Sequence, residues 1–112
     1  MVKENENMIK EASKDFAGFM AELDGEAVLV EVYTPLCVPC QDLKKNILPN
    51  VADKVTVLTV NAAENLEGLN IIQGSIGSIT SVPVLALFRN GGLCGVHRGT
   101  MTLEELEEFI EE

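Results

Sequence analysis

Residues 27–40 read AVLVEVYTPLCVPC, and this stretch decides the fold. Its first half, AVLVEVY (27–33), is almost entirely apolar and rich in β-branched side chains, which predicts a central strand buried on both faces. A helix is predicted to start at about Val38, because apolar residues follow at helical spacing and Pro39 suits a first turn, where a missing N–H costs nothing. The two cysteines therefore lie where a buried strand turns into a helix.

Strands and helices alternate along the rest of the chain. Strands are predicted at residues 7–11, 54–61, 82–88 and 93–98, with a turn at 90–92, and further helices at about 14–23, at 65–73 and from Thr102 onwards. The predicted order is β-α-β-α-β-α-β-β-α, which is an α/β fold. A strand–helix–strand unit of this length implies a right-handed crossover and a parallel pair of strands.

Capping residues and apolar spacing predict the ends and the buried faces of the helices. Ser13 is the expected N-cap of the first helix. The inward side of that helix is expected to hold Phe16, Phe19, Met20 and Leu23. Pro49 should end or bend the helix after the cysteines. Thr102 and Glu105 have the spacing of a capping box for the last helix. That helix is expected to bury Leu103, Leu106, Phe109 and Ile110.

Length and charge limit the classes of function. Residues 1–112 are expected to form one domain, with residues 1–6 disordered, and 46% apolar residues suffice for a core without structural metal. The net charge is −10, from 18 acidic and 8 basic residues, which argues against nucleic acid or anionic membranes as partners. The N-terminal residues contain no apolar leader, and no segment approaches transmembrane length, so a cytoplasmic location is expected.

The spacing of Cys37 and Cys40 admits three interpretations: a redox pair, half of a metal site, or two small core residues. Position favours the first. Cys37 would lie at the start of a helix, where free N–H groups and the helix dipole stabilise a thiolate and make it a nucleophile. Cys40, one turn later and more buried, would be within reach to attack a mixed disulfide and release a reduced product.

From about residue 8 to residue 110 the sequence resembles a thioredoxin. The resemblance rests on five separate features, namely the strand AVLVEVY, the pair CVPC, Val82-Pro83 before a strand, the hairpin FRNGG and Gly99 before the last helix. It implies the thioredoxin fold, with a central mixed sheet of four to five strands flanked by helices. It also implies a cis peptide bond at Pro83, packed beside the cysteines, although an arbitrary X–Pro bond is cis only about 5–6% of the time.

The resemblance further implies the activity, which is reduction of protein disulfides by dithiol exchange at Cys37 and Cys40, without a bound cofactor. An external thioredoxin-reductase-type electron donor, either a flavoprotein or a ferredoxin-linked enzyme, would restore the dithiol, giving a role in electron transport and cell redox homeostasis. A monomer is expected. The residues implied to contact the substrate are Leu36, Val38, Pro39, Val82, Pro83 and Gly99.

Glu31 interrupts the apolar strand and has two interpretations. It either faces outward from a half-exposed sheet or lies buried beneath the cysteines, where desolvation would raise its pKa and allow it to exchange a proton with Cys40. Thioredoxins carry an aspartate at the matching position, so the resemblance implies the second role. The lysine that commonly partners this carboxylate is absent, and Thr59 stands near its place.

Three departures from the family pattern bear on function. Leu36 replaces the tryptophan before the first cysteine, so the docking surface is expected to be smaller and more aliphatic. Lys45 replaces the proline that usually kinks the following helix. The proline before Cys40 is kept, and in this family it is typical of reducing rather than oxidising members.

Three other hypotheses are open at this point. Cys94 and His97 complete a possible Cys₃His zinc set with the cysteine pair, but the predicted hairpin places them at the far end of the sheet, so no metal site is expected. A glutaredoxin-like enzyme that works with glutathione is disfavoured, because the pair lacks that family's usual aromatic and no basic patch is apparent. A thioredoxin-fold binding module without catalysis is the remaining alternative.

Overall fold

A computed structural model describes residues 9–111, and residues 1–8 and 112 lie outside the described residues, together with the expectation of disorder at 1–6. Five strands form one sheet in the order β1-β3-β2-β4-β5. They are β1 (Ile9–Glu11), β2 (Ala27–Tyr33), β3 (Thr56–Asn61), β4 (Val84–Arg89) and β5 (Gly92–Arg98). β3 pairs in parallel with β1 and β2, whereas β4 is antiparallel to β2 and β5. The predicted mixed sheet, with β2 at its centre, is confirmed.

Four α-helices complete the predicted order. They are α1 (Phe16–Leu23), α2 (Val38–Asp42), α3 (Leu66–Ile76) and α4 (Leu103–Glu111). Among the described residues no helix combines the length and the apolar character needed to cross a membrane. The capping box of α4 is confirmed, because the Thr102 N–H donates to Glu105 Oε1 (2.8 Å) and the Glu105 N–H donates to Thr102 Oγ1 (3.1 Å). In α4 Leu106 and Ile110 are buried, whereas Leu103 and Phe109, also expected inside, are only partly so.

Two cores lie on opposite faces of the sheet, because side chains alternate along each strand. Val28, Val30 and Val32 of β2 belong to one core, with Phe19 of α1 and Ile72 of α3. The other core contains Leu29 of β2, Leu85 of β4, Leu43 and Leu48 from the segment after the cysteines, and Leu106 of α4. By the same alternation, Glu31 and Tyr33 face this second side, beneath the segment that starts at the cysteines.

The segment after the cysteines changes geometry twice. α2 is followed by a π-helical turn (Leu43–Ile47) and then by a 3₁₀ turn (Leu48–Asn50), which contains Pro49. The Leu48 N–H donates to the Leu43 carbonyl, which is the i→i+5 bond of a π-turn. This turn lies where thioredoxins usually have a proline kink, and it keeps both Leu43 and Leu48 buried. A π-turn is a usual place for a change in helix direction, and here it occupies the position at which Lys45 replaces the family's proline.

The start of α1 corrects the prediction. Its N-cap is Asp15, whose carboxylate accepts the Gly18 N–H at 2.9 Å, while the N–H and hydroxyl of Ser13 both donate to the Glu22 carboxylate. The helix thus begins at Phe16. Phe19 and Leu23 are buried, but Phe16 is 57% exposed and Met20 42% exposed, so the expected inward stripe was wrong at two of its four positions.

The corrected orientation of α1 predicts different effects for the two phenylalanines of this eight-residue helix. Phe19→Ala should lower the free energy of unfolding by about 3–5 kcal/mol, because Phe19 is fully buried and its loss leaves a cavity. Phe16→Ala should change it by no more than about 0.5 kcal/mol, as at other surface positions. Urea unfolding of both variants measures the difference, and equal losses would contradict this orientation of α1.

Candidate active site

The two cysteines of the pair form a disulfide at the start of α2. Cys37 is the N-cap residue, and its Sγ accepts the Cys40 N–H at 3.2 Å. The Cys37 N–H in turn donates to the Thr34 carbonyl at 3.2 Å, which fixes the turn between β2 and the helix. An N–H directed at Sγ and the N-terminal end of a helix both favour the thiolate over the thiol. Both features would favour a thiolate at Cys37 once the disulfide is reduced.

The two sulfurs differ in accessibility. Cys37 is half-buried, whereas Cys40 is only 1% exposed. The two sulfurs are therefore not equivalent, because Cys37 is open to an incoming molecule and Cys40 is enclosed.

The peptide bond between Val82 and Pro83 is cis, as the resemblance predicted. Cys37 Sγ lies 3.9 Å from the Val82 carbonyl oxygen, so this loop runs directly beside the exposed sulfur. Pro83 is buried, and its carbonyl accepts the Gly99 N–H at 2.8 Å. Gly99 has φ +100°, a conformation that disfavours side chains. The loop and the end of β5 are thus joined at the same side of the disulfide.

Apolar side chains project into solvent beside the disulfide. Leu36 is 94% exposed and Val38 78% exposed, and Pro39 is exposed between Val38 and the second cysteine. Large apolar groups in such positions are typical of a protein-interaction surface when they occur together. All six residues that the sequence predicted to contact substrate lie on the three segments that adjoin the pair, at 36–39, 82–83 and 99.

Glu31 is fully buried, which decides between its two interpretations in favour of the interior. In the sheet it lies between Thr59 of β3 and Leu85 of β4. Among residues 9–111, neither of its carboxylate oxygens has a hydrogen-bond partner. Burial disfavours the charged form and raises the pKa of Glu31 to about 8. In the disulfide state this carboxyl is therefore mostly protonated at neutral pH.

Charged and polar groups near Glu31 were not anticipated from the sequence. The positive charge of Lys44 opposes the rise in the pKa of Glu31, and the negative charge of Glu11 adds to it. The Lys44 ammonium lies 5.6 Å from the centre of the Tyr33 ring. The hydroxyls of Tyr33 and Thr59 both donate to Glu11 Oε1, at 2.9 and 2.8 Å. Burial, and then the hydrogen bond to Glu11, raise the pKa of Tyr33. The signal in the sequence was the position of Lys44, one helical turn after Cys40.

Cys94 and His97 lie on the hairpin rather than at the cysteine pair. Cys94 is exposed, at an irregularity in the pairing of β4 with β5, and its Sγ faces the Gly92 carbonyl at 3.6 Å. His97 is half-buried against Phe109, with its Nε2 3.0 Å from the Thr100 carbonyl oxygen. No three His, Cys, Asp or Glu side chains within residues 9–111 are grouped to hold a metal ion.

Comparisons with known proteins agree with this geometry. A family model described as Thioredoxin matches residues 7–112. A curated thioredoxin of Buchnera aphidicola is 31% identical over 87 residues, which cover 75% of this chain and 76% of the relative. A mutant thioredoxin of Halobacterium salinarum superposes with a TM-score of 0.75 at 23% identity, covering 92% of this chain and 88% of that one. Oxidised mitochondrial thioredoxin 3 of Saccharomyces cerevisiae gives a TM-score of 0.74 at 17% identity, covering 96% and 97%. Both structures are similar in fold.

The electrostatic surroundings of Glu31 make a prediction that two adjacent lysines test. Lys44→Met should raise the pKa of the Glu31 carboxyl further, because it removes the cation that opposes the shift. Lys45→Met is the matched control, since Lys45 is exposed and should leave that pKa unchanged. Carbon-13 NMR of the glutamate side chains across pH 5–10 measures both variants. Equal shifts in the two variants, or none in either, would contradict the assignment of Lys44.

The pKa of Glu31 also predicts how stability depends on pH. The folded-state pKa of Glu31 (about 8) lies above the unfolded value (4.5). Between these two pH values the folded protein therefore keeps a proton that the unfolded chain has released. The contribution of Glu31 is thus fully present below pH 4.5 and is lost as pH rises towards 8, by at most about 1.4 kcal/mol per pH unit. Denaturant unfolding of the oxidised protein should show this decline, and Glu31→Gln should lack it. A decline of the same slope in Glu31→Gln would show that other groups cause it.

Proposed function

This chain belongs to the thioredoxin family and is a thiol–disulfide oxidoreductase, and we propose that it works as a reductase of protein disulfides in which Glu31 handles the proton of Cys40. The family match and the cysteine pair carry the reaction class. The observation that carries the proposed roles is the contrast between a half-buried Cys37, a buried Cys40 and the fully buried Glu31 carboxyl on the sheet face beneath them, which has no hydrogen-bond partner among residues 9–111.

The first step is attack by Cys37. Its thiolate bonds to one sulfur of the substrate disulfide, the substrate S–S bond breaks, and the other substrate sulfur leaves as a thiolate. The N–H of Cys40, 3.2 Å from Sγ in the oxidised state, supports stabilisation of this thiolate. Cys37 is the accessible sulfur of the pair, which supports its role in this step.

The second step is attack by Cys40 on the sulfur of Cys37. The new disulfide forms within the pair, the mixed disulfide breaks, and the second substrate sulfur leaves, so the substrate gains two electrons and the pair loses two. Cys40 must first lose its proton, and we assign that proton to the Glu31 carboxylate. A pKa of about 8 in the disulfide state fits this order, because a protonated Glu31 is the expected product of the transfer.

Substrate binding is proposed to use the segments beside the pair. The backbone of Val82 and Gly99 would bind the chain that flanks the substrate disulfide, with Pro83 fixing the loop, while Leu36, Val38 and Pro39 would contact its apolar side chains. The exposure of Leu36 and Val38 supports this assignment, as does the short distance from Cys37 to the Val82 carbonyl. With no tryptophan in this surface, contact is expected to be aliphatic and to tolerate varied side chains.

Partners in general follow from the family: protein disulfides as substrates, and a reductase that restores the dithiol. We propose that this reductase is a flavoprotein or a ferredoxin-linked enzyme, and that the protein acts as a monomer in the cytoplasm, in electron transfer and redox homeostasis. We also propose that residues 1–112 act as one domain. The retained proline at position 39 supports a reducing rather than an oxidising role.

The assignment of the proton to Glu31 predicts a selective kinetic defect. Glu31→Gln should slow the second step about a hundredfold, the lower range for loss of a general acid–base group, and leave the first within about threefold. Stopped-flow mixing of the reduced protein with a disulfide peptide separates the two steps, with Cys40→Ser defining the trapped mixed disulfide. Glu67→Gln is the matched control, since that exposed carboxylate on α3 is assigned no proton and is not among the charges that shift the pKa of Glu31. Equal losses in both steps would refute the role of Glu31.

A further inference from the structure

The loop that carries Val82 and Pro83 is held at its far end by side chains rather than by strand pairing. Residues 77–81 connect the end of α3 to this loop, and Gly77, with φ +97°, ends the helix. One tie comes from α3 itself, where Gln73 Oε1 accepts the Ile79 N–H at 2.9 Å. Ile76, Ile79 and Val82 also pack against the first core, so polar ties of this kind act together with apolar packing to place the loop.

A second tie comes from Arg98, at the end of β5. Its guanidinium donates from Nη1 to the Ser78 carbonyl at 3.0 Å and from Nη2 to the Ile76 carbonyl at 3.1 Å. The last carbonyls of a helix have no partner within the helix and favour a cation. The contact with Ile76 therefore gives the end of α3 both a hydrogen-bond donor and a positive charge. The planar fork of arginine can reach both oxygens together, which the single ammonium of lysine does less well.

Arg98 is itself fixed beside the active site. Its Cα pairs with Val84 in the hairpin, and the next residue, Gly99, donates its N–H to the Pro83 carbonyl at 2.8 Å. The segment from Ile76 to Pro83 is therefore attached at both ends to residues 98 and 99, by the Arg98 side chain at the first end and by the Gly99 backbone at the second. Loss of the Arg98 contact leaves the first end with the Gln73 tie and its apolar packing alone.

We propose that Arg98 is a positioning residue for substrate binding, which holds the Val82-Pro83 loop in place by fixing residues 76–78 to the end of β5. This inference rests on the proposed use of the Val82 backbone to bind substrate. Arg98 touches no reacting atom in this scheme. Arg98 instead affects how often the Val82 backbone has the geometry that binds a substrate chain.

The other end of the same hairpin supplies a matched control. Arg89, the last residue of β4, donates from its guanidinium to the Ile110 carbonyl in the last turn of α4. The chemistry is the same, an arginine on the carbonyl end of a helix, but Arg89 pairs with Ala27 and Gly92 at the end of the sheet remote from the cysteines. Arg89→Met should thus remove a comparable arginine–carbonyl contact, with an effect on stability similar to that of Arg98→Met, and should leave the loop unaffected.

The experiment compares Arg98→Met, Arg98→Lys and Arg89→Met in the full chain. The reduced proteins are mixed at increasing concentrations of a disulfide-bridged peptide, which gives a half-saturating concentration and a limiting rate. Arg98→Met should raise the half-saturating concentration about tenfold with the limiting rate within twofold, Arg98→Lys should fall between it and wild type, and Arg89→Met should match wild type. A small aromatic disulfide that has no peptide backbone should react equally with all four proteins.

Amide hydrogen exchange of the oxidised proteins reports the position of the loop independently. Exchange at residues 79–82 should be faster in Arg98→Met and unchanged in Arg89→Met. Unchanged exchange in Arg98→Met would overturn the inference, and so would faster exchange with no change in the half-saturating concentration. If wild type itself fails to reduce the peptide, the proposed function fails, and the exchange measurement alone then decides whether Arg98 holds the loop.

Discussion

Burial of β2 on both faces is the constraint on which the rest of the structure depends. Six of its seven residues are buried, so the strand cannot shift or slide without moving apolar groups from one core to the other. Its end therefore fixes where the chain emerges, and the cysteine pair begins four residues later. The same burial gives Glu31 its unusual environment. The reactive sulfurs and the carboxyl thus owe their relative positions to one strand.

A buried, unpartnered carboxyl is costly, which makes Glu31 informative about function. Stability alone would favour an apolar residue at this place, because the buried carboxyl, protonated or ionised, has no hydrogen bond among the described residues to compensate its desolvation. In a dithiol reaction, however, a group whose pKa lies near neutral pH can exchange a proton, and desolvation brings the pKa of Glu31 into that range. Lys44, which lies in the π-helical turn, carries the positive charge that limits the rise in the pKa of Glu31.

Local patterns predicted the order of the elements, the central strand, the capping box of α4 and the position of Cys37 at a helix start. The cis bond at Pro83 followed from the family resemblance, not from local chemistry. Features that depend on contacts between distant residues were missed or misassigned. Ser13 had a good capping pattern, yet its N–H and hydroxyl donate to Glu22, nine residues away, and the helix begins only at Phe16 with Asp15 as its cap. The contacts of Arg98 with Ile76 and Ser78 span some twenty residues and leave no periodic signal in the sequence.

An equilibrium redox titration shows directly whether Cys37 and Cys40 form one two-electron couple of reducing character. The purified protein is equilibrated with defined thiol–disulfide buffers, alkylated, and read by mass spectrometry at each cysteine. This account predicts a single two-electron transition confined to Cys37 and Cys40, with a midpoint near the value of about −270 mV typical of thioredoxin. A midpoint near about −120 mV would indicate a disulfide donor instead, and failure of the pair to form a disulfide would contradict the account altogether.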